Sequence, residues 1–172
     1  DPEARARWSR LLQEQGVAIT RSFRLPRDGA VKLTATNAPA VSGQFRALAI
    51  LVQFTDHSSA VAGAYFDSLL FDSVGRSVRN YYSEVSYAQL DIVTANLPSS
   101  LGWRTAPQTY AYYVDGENGT GAYPQNCQKL TEDLVDQIDP LVNFSQYDND
   151  DDGYVDVLII IHAGTGAEMT GS

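Results

Sequence analysis

A chain of 172 residues, 44% hydrophobic and 19% charged, has the length and composition of a globular protein with a sizeable core. Its formal charge of −9 is uneven: residues 1–46 carry eight basic groups against four acids, residues 115–156 eleven acids against Lys129 alone. That acidic half argues against a nucleic-acid partner, no run approaches the roughly 20 apolar residues of a membrane span, and the single Cys127 allows no internal disulfide.

Residues 2–15 carry helix signals. Pro2 suits the first turn, Glu3 the N-terminal end, Trp8, Leu11 and Leu12 one apolar stripe, and Gly16 the stop. Residues 17–23 and 30–36 alternate as strands on either side of Pro26-Arg27-Asp28-Gly29, a turn composition. Asn37 to Gly43 has the composition of a linker. A boundary is expected there, with residues 1–43 an N-terminal extension and residues 44–172 the main domain. The opening Asp1-Pro2-Glu3, with no Met, reads as the start of a processed chain.

Residues 45–54 (FRALAILVQF) are apolar nearly without a break, the pattern of a strand covered on both faces. Asp56 to Ser59 then forms a polar loop in which His57 reads as solvated. VAGAYFDSLLF, from Val61, predicts a short helix, and residues 76–85 a second with Ser77 as its N-cap. Residues 87–96 alternate as a strand that ends before Pro98. Residues 97–122, rich in Gly, Pro and Tyr, predict a long loop with one short strand at Tyr110 to Val114. Pro124 opens a helix running to about Asp139, with Cys127, Leu130, Leu134, Val135 and Ile138 on its apolar side. The last strand is expected over 154–162. Strands and helices in this order predict an α/β layered domain with a mixed sheet.

Two constellations could carry chemistry. Asp148-x-Asp150-x-Asp152-Gly153-Tyr154-x-Asp156 has carboxylates at alternate positions and a Gly at the sharp turn, as a calcium loop does. Asp148, Asp150 and Asp152 would give side-chain oxygens, Tyr154 its carbonyl, and Asp156 a carboxylate directly or through water. The twelfth position is Ile159 rather than Glu, so the last ligand of an EF-hand is missing and would come from elsewhere. A solvated acidic turn is the other reading. The second constellation, His162-Ala163-Gly164-Thr165-Gly166, puts an imidazole and small residues at the end of a buried strand. His162, Ala163 and Gly164 could pair there with an extended peptide, or His162 could simply fix its own loop. Two His and one Cys do not make a zinc site, and no G-x-S-x-G elbow is present.

RALAILVQFTD (46–56), FDSLLF (66–71), SVRNYYSEVSYAQLDIV (77–93) and YDNDDDGYVDVLIIIHAGTGAE (147–168) together resemble the M6 family of secreted metallopeptidases, the immune inhibitor A-like enzymes. The resemblance covers residues 45–170. It implies a zincin-like catalytic domain in which zinc, held by two His of an H-E-x-x-H helix, activates water for peptide-bond hydrolysis. The helix 124–139 would be the backing helix, and 154–162 a strand near the cleft. No H-E-x-x-H occurs in these 172 residues. The chain is therefore expected to be the N-terminal part of the catalytic domain. Its catalytic zinc ligands would lie outside the segment, its partners would be a peptide substrate and the C-terminal remainder of the enzyme, and calcium would play a structural role. A non-catalytic, calcium-stabilised extracellular binding module is the alternative.

Overall fold

The computed structural model describes residues 42–166. The helix and hairpin expected over residues 2–36, and the extension they would form as far as residue 41, lie outside the described residues. So do Ala167 and Glu168, the last residues of the final segment quoted above.

The long apolar run divides into two strands. β1 (Gly43–Arg46) pairs in parallel with β3 (Leu90–Val93). β2 (Leu48–Gln53) lies between β4 (Trp103–Thr105) and β5 (Leu158–His162), parallel to both, in the order β4-β2-β5. The change of partner falls at Ala47. Its N–H donates to Val93 O at 2.9 Å, and the next N–H, of Leu48, donates to Val157 O at 3.0 Å. On its other side Arg46 is closed by Asn149, whose Oδ1 accepts from Arg46 N (2.7 Å) and whose Nδ2 donates to Arg46 O (3.0 Å). A side-chain amide thus stands where another strand would pair. Every pairing among the described residues is parallel, so the mixed sheet expected from the sequence is seen only in its parallel part.

β2 is covered on both faces, as its unbroken apolar run required. Leu48, Ile50 and Val52 pack with Leu130, Leu134 and Ile138 of α5 (Cys127–Ile138). Ala47 and Ala49 point the other way, to Leu70 and Phe71 of α1 (Gly63–Phe71). Leu48 through Val52 are fully buried. The side chains of β5 follow the same alternation, Leu158 and Ile160 joining the α5 face and Ile159 and Ile161 the α1 face. This is an α/β arrangement with helices on both sides of a parallel sheet.

α2 (Val78–Val85) begins where expected: the Ser77 hydroxyl accepts from Asn80 N at 2.9 Å. Arg79 then ties it to β3 through both oxygens of Asp91, at 2.6 and 2.9 Å. The strand expected over 87–96 is shorter, Leu90–Val93. Tyr87 and Ala88 have φ of 56° and 59°, left-handed values that a strand cannot contain. The expected loop 97–122 contains α3 (Pro98–Leu101), β4 and α4 (Tyr110–Val114). The last corrects the short strand expected at Tyr110 to Val114. The Thr109 hydroxyl accepts from Tyr112 N at 3.2 Å and caps a helical turn, which Asp115 ends in the left-handed region. α5 starts three residues later than expected, because Asn126 is its cap: Oδ1 accepts from Lys129 N at 3.1 Å.

Candidate functional site

The acidic loop follows a 3-10 turn, Phe144–Tyr147, and launches β5. Carboxylate oxygens of Asp148, Asp150 and Asp156 lie within 4.8 Å of one another. Among the described residues no other group of three His, Cys, Asp or Glu side chains is gathered this closely. The loop's own amides shape it. Asp148 accepts from Asp152 N (3.0 Å) and Gly153 N (2.8 Å), and Asp152 accepts from Tyr154 N (2.9 Å). The carboxylate of Asp152, expected as a ligand, stands outside the trio. Asp151 (φ 60°) and Gly153 (φ 91°) supply the left-handed turns. Partial desolvation by the loop, with the like charges of Asp152, Asp156 and Asp148, raises the Asp150 carboxyl above its ordinary range despite the N–H of Asp152.

The residue that sequence reasoning passed over here is Asn149. Besides closing Arg46, its N and Nδ2 donate to Asp156 Oδ2 at 2.6 and 3.0 Å. It locks the acidic loop to the junction of β1 and β2. An Asn among five Asp is hidden by their charge, and only its uncharged amide, able both to donate and to accept, distinguishes it.

The second region lies at the carboxyl ends of β2 and β5, where parallel sheets place their sites. Ala163 N still donates to Val52 O (2.8 Å), and Ala163 is buried. The chain then leaves the sheet through Gly164, at φ 113°. A Cβ added there would come within 3.0 Å of the Tyr110 ring. The Tyr110 hydroxyl donates to Thr165 O at 2.6 Å, and Tyr110 N donates to Asp56 Oδ1 at 2.7 Å. Both histidines flank this tyrosine. The His57 ring centroid is 4.6 Å from that of Tyr110, and the His162 ring stacks at 6.1 Å. His57 therefore has a partner beyond solvent, and its Nδ1 lies 3.4 Å from Asp56 Oδ2. Desolvation raises the Asp56 carboxyl, but the N–H donors of Tyr110, Asp56 and Ala111 and the His57 contact outweigh it and hold it low. His162 is exposed, with Nδ1 3.2 Å from the Ala163 carbonyl oxygen. Beyond it, the outer edge of β5 has no strand partner among the described residues.

Of the expected site residues, Asp148, Asp150 and Asp156 come together in one region and His162, Ala163 and Gly164 in the other. Tyr110 joins the second region unannounced, because its helix was read as a strand. Zinc does not fit either region. The gathered trio offers only carboxylate oxygens, donors for a hard cation such as calcium, and neither imidazole belongs to a group of three metal-ligating side chains among the described residues.

No family model matches this chain. It is similar to the Pre-pro-metalloprotease PrtV of Vibrio cholerae serotype O1, represented by two strains. The identity is 27% over 165 aligned positions, covering 73% of this chain and 17% of the relative. The chain thus spans a small part of the length of the curated relative it matches. No helix among the described residues is long and apolar enough to cross a membrane.

Proposed function

We propose that this chain is the N-terminal part of the catalytic domain of a secreted zinc-dependent endopeptidase of the M6, zincin-like kind. The observation that carries the reading is the similarity to a metalloprotease precursor across 73% of the chain. The four segments that resemble the M6 family, and a parallel α/β sheet with α5 backing it, support the same reading. The hydrolytic zinc would supply an activated water. Its ligands would lie outside these 172 residues.

What this segment contributes is a frame. β2 and β5 would hold the cleft wall, with His162, Ala163 and Gly164 facing an extended peptide along the outer edge of β5, which has no strand partner among the described residues. A β-edge offers its own N–H and C=O groups to such a peptide, so affinity there rests on main-chain hydrogen bonds. Calcium would sit among Asp148, Asp150 and Asp156, screening their repulsion and fixing the loop from which β5 starts. The partners are then a protein or peptide substrate and the C-terminal remainder of the same enzyme.

The test is casein hydrolysis by the whole gene product that contains this chain. Activity lost to 1,10-phenanthroline and restored by zinc is expected. A gene product that cleaves nothing, or cleaves regardless of the chelator, overturns the reading; in the first case the calcium-stabilised binding module takes its place.

A further inference from the structure

Beside His162 a cavity of about 140 Å³ opens between α4, α5 and the end of β5. Its floor is Phe54, Tyr113 and Leu130, all buried, and its rim includes Cys127, His162 and Thr165, all exposed. No Asp, Glu, Lys or Arg lines it. For scale, a cavity of about 150 Å³ walled by aliphatic and aromatic side chains takes up benzene.

Two tyrosine walls are pinned by their hydroxyls. Tyr110 donates to Thr165 O at 2.6 Å, and Tyr113 donates to Asp133 Oδ2 at 2.6 Å. Neither ring can swing in to fill the space without breaking that bond, so the cavity is formed before anything enters it. A preformed apolar pocket with a buried floor and a polar mouth binds an uncharged group without the cost of reorganising its walls.

We infer that this cavity is a side-chain subsite, taking one aromatic or branched aliphatic side chain of a peptide that crosses the end of β5. The inference rests on the reading of that end as a peptide-binding edge. Charged side chains are disfavoured because the buried floor of Phe54, Tyr113 and Leu130 offers them no counter-charge.

The experiment titrates the whole gene product that contains this chain with the N-acetyl amides of phenylalanine, leucine, glycine and aspartate, following its backbone amide resonances by NMR. The phenylalanine or leucine amide should shift Leu130 and residues 162–166 and bind at least about tenfold more tightly than the glycine amide. The aspartate amide should bind no better than glycine. Cys127→Phe, at the exposed mouth, should weaken the phenylalanine amide about tenfold with an unchanged melting temperature. Val114→Phe, on the lining of α4, blocks the same space if Cys127→Phe does not fold. Equal binding of all four amides, shifts confined to other residues, or full binding by the folded blocked variant each overturn the subsite. None of these readouts needs catalysis. Amide binding without casein hydrolysis by the gene product overturns the peptidase reading alone, and hydrolysis without amide binding overturns the subsite alone.

Discussion

Gly164 meets two demands that no other residue type meets together. Its φ of 113° is strained for any side chain, and its Cβ would stand 3.0 Å from the Tyr110 ring. Gly153 shares only the first demand: its φ is 91°, but nothing lies within 4 Å of an added Cβ. Gly164→Ala should therefore cost more than Gly153→Ala, whose strain alone is about 1–3 kcal/mol. Thermal unfolding compares them, and equal losses would show that the Tyr110 contact carries no weight. Asp150 is the second informative residue. Its carboxyl titrates above the ordinary value of 3.8, so the folded loop binds a proton more readily than the unfolded chain does. Stability from this group therefore falls as pH rises through that window and is regained on acidification. In chelator at neutral pH, Asp150→Asn should raise the melting temperature, and the gain should shrink as pH falls toward the carboxylate range. With calcium in excess the order should invert, the wild-type chain gaining and the variant not. Melting curves indifferent to calcium would remove the ion from the loop. The alternate carboxylates were legible in the sequence because their spacing is a local property. That Asp152 would stand outside the trio was not, because an oxygen's direction depends on which loop amides it accepts.

Elements were legible where one local signal decided them. The Ser77 cap was readable because the start of α2 depends on a hydroxyl three residues from the N–H it accepts from. α4 was not, because Tyr110-Ala-Tyr-Tyr-Val114 is a run of β-favouring aromatics, and its helical turn is set by Thr109 before it and Asp115 after it. β4 has three residues, too few for an alternation to be seen, and depends on β2 beside it. The acidic loop shows how a distant partner fixes a local element. Tyr147, fully buried, accepts from Asn96 N at 2.9 Å and donates to Asn96 Oδ1 at 2.8 Å. Its carbonyl accepts from Asp156 N at 3.1 Å, closing the loop at its base. Tyr147→Phe keeps the ring and removes the hydroxyl. Asn96 then loses its better acceptor, with Thr94 Oγ1 left at 3.3 Å, and the loss should be about 1–2 kcal/mol in chemical denaturation. A neutral substitution would mean that the loop base is held by packing alone.

Across the whole molecule the weight falls on β2. Every side chain from Leu48 to Val52 is fully buried, and the two apolar clusters meet on its opposite faces. This much was written in the composition of residues 45–54, since a strand with no polar side must be covered twice. What the run could not reveal was its division at Ala47, because the cause, Asn149, lies 103 residues away from Arg46. The helices differ accordingly. α5 presses Leu134 and Ile138, both fully buried, against β2, while α2 buries no residue and leaves Tyr81, Tyr82 and Val85 exposed. Leu134→Ala opens a cavity in the core that the surrounding strand cannot close, and should cost about 2–5 kcal/mol. Val85→Ala removes a side chain already 52% exposed, and should cost about 0.5 kcal/mol or less. The same contrast should appear in amide exchange: β2 and α5 exchange only through global opening, whereas α2, tied to β3 by the Arg79–Asp91 pair and the packing of Val78, opens locally. Denaturation of the two variants, with exchange rates of the unsubstituted chain, tests both statements. If Val85→Ala costs as much as Leu134→Ala, α2 is covered by another part of the protein, and its exposed tyrosines belong to an interface.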